Sequence, residues 1–253
     1  MTDSRDEVSR PVVRAYEVVL GWVESRILAG ELHVGDQLPP ERELARQLEV
    51  SRGAVREAVR TLAAQGVVRS TVGAGGAGGT TVTAVPTDAL VRFLQLHVAL
   101  ANFPIGDVIE ARISLERLSA RLATEHARAS DLAAMREALA AMDRSAHDKA
   151  RYNDADTAFH VAIAGAAGNR LVADMTVAIR ESMRLPLLDA FRYVGDWDGL
   201  TGGLREQHHA IFDAIRMGDP DAAQATVEAH IRGAWQALAP TYDAVRAHTR
   251  AIE

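Results

Sequence analysis

Four side chains in the second half of the chain have the types and spacing of a metal site. Asp156 and His160 are four residues apart, so on a helix both project from one face. His208 and His230 fall in two later stretches of helical period. A carboxylate and imidazoles brought together from three helices would hold a divalent cation inside a bundle. A core hydrogen bond accounts equally for any one histidine, and spacing alone does not separate the two. A second set lies in the first half, where Arg52, Arg56 and Arg60 recur every four residues with Arg42 and Arg46 upstream. Residues 42–70 hold six arginines and three glutamates, a local balance of +3 in a chain of net charge −6. Any nucleic-acid contact should therefore be confined to this island. Such a stripe can lie along a major groove, bonding guanine edges or pairing with phosphates. A solvated face on an ordinary helix has the same pattern.

The elements that must position these residues are mostly helical. Hydrophobic residues make up 48% and aromatics only 5%, so the core is built from Ala, Leu, Val and Ile. Residues 1–10 are polar, lack the apolar segment of a signal peptide and read as a disordered lead. A winged helix-turn-helix domain is expected over 11–85. Helical period runs from Pro11 to about Ala29, an extended link follows over Leu32–Leu38, and short helices are expected near 40–48 and 52–65. Leu44, Leu48, Val50, Val55 and Val59 would form their shared core. Ser51 is placed to cap the second, whose start can also receive a phosphate. The β-branched runs Val67–Val72 and Thr80–Thr83 flank a glycine-rich tip and predict a hairpin, or wing. That tip is not a nucleotide-binding P-loop: it lacks the Gly-Lys-Ser/Thr ending, and no helix follows directly. From 86 to 250 the pattern predicts an antiparallel bundle of six or seven helices, with a loop over Gly195–Gly203 containing Trp197. The absence of cysteine excludes disulfides and thiolate metal sites and fits a cytoplasmic protein. The longest apolar stretch, Phe93–Leu100, falls short of the ~18 residues of a membrane span.

The run Gly35–Ala45, then Val50–Ala58, then Leu62 and Gly66, closely resembles the DNA-binding domain of the GntR family of bacterial regulators. The resemblance implies that Arg42, Arg52 and Arg56 contact operator DNA, with Ser51 at the turn, and that Gly73 at the wing tip enters the minor groove. Two departures stand out: Glu49 occupies a turn position where Gly is common, and Pro40 occupies one where Ser is usual. The segments Asp156–Ile163, Asn169–Leu171, Gln207–Ile211 and Ala229-His230 look like the ligand-binding domain of the FadR-type subfamily. Ile109–Arg112 with Glu116 resembles that domain's second-helix signature. In metal-binding members the matching positions, here Asp156, His160, His208 and His230, hold the ion. His209 would point about 100° away around its helix.

A site of three imidazoles and one carboxylate suits a divalent ion of the Zn, Ni or Mn class and leaves positions open for a small carboxylate effector. Arg112 resembles the family arginine that faces this cavity and could hold the effector; a surface pair with Glu116 is the alternative. Asn169 either lines the cavity or only caps the next helix. The expected function is an effector-responsive transcription regulator, a homodimer on double-stranded palindromic operator DNA, with repression as the commoner behaviour. A metal-dependent hydrolase or lyase fused to a DNA-binding module is the alternative from another class. A purely structural ion in a constitutive repressor is a third reading.

Overall fold

The computed structural model describes residues 14–71, 79–84, 87–100 and 103–252. The chain divides into two compact units, Met1–Ala89 and Leu90–Glu253. Among the described residues no helix is long and apolar enough to cross a membrane.

The first unit contains α1 (Ala15–Leu28), α2 (Glu41–Gln47), α3 (Arg52–Ala64), β1 (Val68–Thr71) and β2 (Gly79–Val82). Helix α3 starts at Arg52 because the Ser51 Oγ accepts the Ala54 N–H at 3.1 Å. Leu44 and Ala45 of α2 pack on Val55 and Ala58 of α3, and Val19 of α1 closes the cluster. Leu48, Val50 and Val59 sit at its margin. A second cluster of Val23, Leu38, Leu62, Val68 and Val82 fastens the sheet to the helices. The strands pair antiparallel, from Val68 opposite Val82 to Thr71 opposite Gly79. Gly73 lies outside the described residues.

Residues 32–38 do more than the plain link expected of them. Leu38 donates to the Thr80 carbonyl and the Asp36 carbonyl receives the Val82 N–H, both at 2.8 Å, around an isolated bridge between Gln37 and Thr81. The segment covers the side of β2 that β1 leaves open, where a bare edge would be exposed to unwanted pairing. Its sequence carries no β-branched alternation, so nothing local announces it.

The second unit is all-helical: α4 (Thr87–Ala99), which spans the boundary, then α5 (Ile105–His126), α6 (Ala129–Arg144), α7 (Lys149–Ala166), α8 (Arg170–Arg192), α9 (Trp197–Met217) and α10 (Pro220–Ile252). Helix α5 runs along α10 and against α7 and α8, while α6 packs on α7. Ile113, Met135, Phe159, Met183, Ile211 and Ile231 are buried in one continuous core. The expected loop over Gly195–Gly203 is corrected: α9 begins at Trp197. Asp196 caps it by accepting the Gly199 N–H at 2.9 Å. The Trp197 indole donates to the Ala146 carbonyl at 2.6 Å and packs edge-on against Tyr152 and Phe191. These tertiary contacts offset the low helix propensity of the three glycines, which is what the sequence pattern registered.

The turn between α2 and α3 carries strain. Glu49 has φ 54°, the one non-glycine in the left-handed region among the described residues. It ends α2 in a Schellman turn, with the Val50 N–H bonded to the Ala45 carbonyl at 3.0 Å. A side chain in this conformation costs roughly 1–2 kcal/mol, part of which glycine gives back through its freer unfolded chain. Glu49→Gly should therefore stabilise the first unit by about 0.5–1 kcal/mol, read as slower hydrogen exchange at the α2 and α3 amides. Unchanged or faster exchange would contradict the strain.

Candidate functional site

Arg42, Arg52, Arg56 and Arg60 are all exposed. Arg42 and Arg52 line a cleft of about 590 Å³ with Ser70, Thr71, Gly79 and Thr80 of the strands. The structure thus brings the starts of α2 and α3 to the same groove as the wing strands. Arg56 lies one turn beyond Arg52, and its Nε donates to Glu41 Oε2 at 2.8 Å. Glu41 was not singled out from sequence, and an acidic residue at the start of a helix is common for its interaction with the helix dipole alone. The pair holds one edge of the Arg56 guanidinium. Ser51 is exposed, and its oxygen is committed to the α3 cap.

The second constellation is buried. Asp156 and His160 come from α7, His208 from α9 and His230 from α10, and one donor atom of each lies within 4.8 Å of the others. Their exposures are 7%, 2%, 1% and 2%. Asp156 Oδ1 lies 2.9 Å from His208 Nε2 and 3.9 Å from His160 Nε2. On His160 and His230 the other ring nitrogen meets a partner outside the cluster. His160 Nδ1 lies 2.5 Å from Glu116 Oε2, and His230 Nδ1 lies 3.0 Å from the Gln207 amide oxygen. Each contact favours the tautomer that turns Nε2 toward the cluster, the outer-shell arrangement that prepares imidazoles for an ion. The Arg180 guanidinium donates to Asp156 Oδ2, leaving Oδ1 to face the imidazoles. His209 is half exposed and lies 3.8 Å from Asp143, away from the cluster as expected.

Protonation fits cation binding. Burial pushes the His230 imidazole well below its ordinary value, and the charges of His208, His160 and Arg112 push it the same way. Burial also lowers His208, against the opposing pull of Asp156. Burial works to raise Asp156, but its hydrogen bond from His208 and the charges of His160, His208 and Arg112 prevail and hold it low. Glu116 is likewise held low by His160 and Arg112 despite burial. Neutral imidazoles around an ionised carboxylate are the form that ligates metal. Donor atoms 2.0–2.2 Å from an ion lie about 3–4.4 Å apart, so this set needs only a small contraction. His160 Nε2 is buried without a hydrogen-bond partner among the described residues, which an ion would supply.

Arg112 does pair with Glu116, Nε to Oε1 at 2.6 Å, but the pair is buried at 5% and 3% exposure rather than at the surface. Arg112 also borders a small space shared with Asp156 and His230 and walled by Leu187, Phe191 and Trp235. It holds about 20 Å³, room for about one water. Asn169 is not brought here. It is exposed and spends its side-chain oxygen on the Val172 N–H at 3.2 Å, capping α8. Of its two sequence readings, the cap is the one realised. Arg180 and Gln207 were missed. Arg180 had a legible signal: it lies on the face of α8 shared by Thr176, Ile179, Met183 and Leu187, all buried. A lone cation on such a face must answer a buried anion.

Residues 15–77 match the family described as bacterial regulatory proteins, gntR family, and residues 107–233 match the FCD domain. The chain is 31% identical over 240 residues to the transcriptional repressor NanR of Edwardsiella tarda, covering 90% of this chain and 89% of that protein. It is 31% identical over 201 residues to the galactonate operon transcriptional repressor of Escherichia coli, covering 79% and 86%. Among solved structures, the Streptococcus agalactiae GntR shares the fold at TM-score 0.55 and 24% identity, over 86% of this chain and 97% of that one. The chain therefore belongs to the GntR family of bacterial regulators, in the branch with an FCD domain, and is a DNA-binding transcription regulator rather than an enzyme.

Proposed function

We propose that the protein is a repressor that binds operator DNA as a homodimer and responds to a small carboxylate at a divalent ion held by Asp156, His160, His208 and His230. The observation that carries this reading is the buried set of four donors, in which His160 and His230 already set Nδ1 against Glu116 and Gln207. When bound, an ion of the Zn, Ni or Mn class would supply open coordination positions for a carboxylate. Charge supports an anionic effector. With neutral imidazoles, Asp156 and Glu116 balance Arg112 and Arg180, so a divalent ion adds two uncompensated positive charges in a buried place. Arg112 is the residue placed to take the effector's second polar group, on release from Glu116. Two of the relatives are named repressors, which supports repression. Phe93, Leu96 and Leu100, on and just beyond α4, are 52%, 63% and 71% exposed and offer an apolar face for the dimer.

A structural ion in a constitutive repressor is the second reading, favoured by the closed space beside the cluster.

On the DNA side, Arg42, Arg52, Arg56 and Gly73 are the proposed contacts, with the Ser51 turn at a phosphate. Arg52→Ala with Arg56→Ala should weaken binding to the protein's own promoter region at least about 100-fold in a gel shift, since each bidentate contact is worth ~1–3 kcal/mol. Binding at the original affinity would end the assignment.

For the ion, Gln207→Ala leaves all four donors in place but frees the His230 ring. Its Kd for zinc in calorimetry should rise about 10- to 100-fold. An unchanged Kd would remove His230 from the site.

The ion-free protein should also be acid-sensitive. The unfolded chain takes up a proton on each imidazole near pH 6.5, while folded His230 and His208 resist it. Between the folded and unfolded pKa values the unfolded state holds more protons, so stability is full above about 6.5 and falls with pH. Asp156 and Glu116, held low, add to the loss below about 4.5. Thermal unfolding after chelation should show a falling midpoint from pH 7.5 to 5.5, where a flat profile is the contrary result. In the same experiment at pH 7.5, a sensory ion costs mainly the effector response, and a structural ion costs much of the midpoint.

A further inference from the structure

A second cavity in the helical unit is not explained by the cluster. It lies between α6, α7 and α9 and holds about 130 Å³. Leu139, Met142 and Ala146 give it an apolar floor, Tyr152 and His208 stand in its wall, and Gly202 leaves one side open. An engineered apolar cavity of about 150 Å³ takes up benzene, so this slightly smaller one has room for about one six-membered ring.

Both wall residues carry a polar atom with no hydrogen-bond partner among the described residues. The Tyr152 hydroxyl is buried without a hydrogen bond, and so is His208 Nδ1. The Tyr152 side chain is 2% exposed. A buried hydroxyl left unpaired is costly and rare in folded proteins. The Tyr152 ring itself is well placed, edge-on to Phe191 and Trp197 at 6.5 and 5.5 Å between centroids. Packing accounts for the ring, and leaves the hydroxyl without a role.

Gly202 is the third observation. It sits inside α9, where glycine is unfavourable relative to alanine. A Cβ built there meets nothing within 4 Å, so no neighbour demands the missing side chain. Its absence keeps the cavity clear. The polar rim sets the charge of the occupant. Asp143 pairs with Arg205 at 2.8 Å, and Asp198 adds a further carboxylate. With neutral histidines the lining carries one net negative charge, which disfavours an anion.

We propose that this cavity is a second ligand site, for a compact uncharged molecule with an apolar body and a hydroxyl group that bonds to Tyr152 and His208. It is separate from the carboxylate-and-ion site and shares only the His208 ring with it.

Phenol, toluene and benzoate test the idea on the full-length protein, followed by amide chemical shifts of Thr201 and Gly202. Phenol should give saturable shifts, and toluene, of the same shape without the hydroxyl, should bind at least about fivefold more weakly. Benzoate should be weaker still. Gly202→Leu should abolish the phenol response by filling the space. Tyr152→Phe keeps the ring packing, so it answers if the leucine variant misfolds: it should weaken phenol about fivefold and leave toluene unchanged. No saturable shift with phenol overturns the proposal, as does equal binding of phenol and toluene. A phenol response that survives Tyr152→Phe at full strength assigns the binding elsewhere. Benzoate binding as tightly as phenol makes this an anion site and also sinks it.

Discussion

The helical unit is organised around two carboxylates that cannot reach water. Asp156 and Glu116 are 7% and 3% exposed, and an isolated buried carboxylate would be driven to take up a proton. Each instead meets an arginine: Glu116 pairs with Arg112, and Asp156 with Arg180, whose other nitrogen lies 3.5 Å from Glu116. The compensation spans α5, α7 and α8, and the imidazoles extend it to α9 and α10. Removing one partner of such a buried pair costs about 3–5 kcal/mol, whereas the intact pair contributes little net stability. The network is thus a constraint on helix placement more than a source of stability. It holds five helices in one register and turns the His160 and His230 rings toward the cluster.

Legibility followed the range of the interactions. The cap at Ser51 acts over three residues, at 3.1 Å, and its position was readable from residue type. The donor set was readable because Asp156 and His160 share a helix face, and because the resemblance chose His208 over His209. The partners that make the set usable were not. Gln207 reaches His230 across 23 residues, and Arg180 reaches Asp156 across 24. Nothing in the local pattern of either residue names its partner. The edge contact of residues 36–38 with β2 failed for the same reason. At α9 the failure ran the other way: local propensity spoke for a loop, and Trp197, bonded to Ala146 fifty-one residues away, overrode it.

The two units solve different problems with their interiors. In the first, separate small clusters under short helices keep Arg42 and Arg52 on one cleft, and Glu41 restrains Arg56. Preorganised arginines lose less freedom on meeting DNA, so more of each contact appears as affinity. The second unit closes its core over the cluster. Between Arg112, Asp156 and His230 only about 20 Å³ is open, behind Leu187, Phe191, Leu204 and Trp235.

A carboxylate larger than one water therefore has to part that wall, and exposing apolar surface costs about 25 cal/mol per Å². Only differential affinity can hold the parted state, because a ligand that binds both states equally shifts neither. The contacts available for that purpose are electrostatic: the uncompensated charge of an ion at the four donors, and Arg112 once it leaves Glu116. Both lie inside the wall and are out of reach while it is closed. On the proposed reading, the apolar side chains of α8, α9 and α10 would be the element that moves, and the buried charges behind them would decide which small anions can move it.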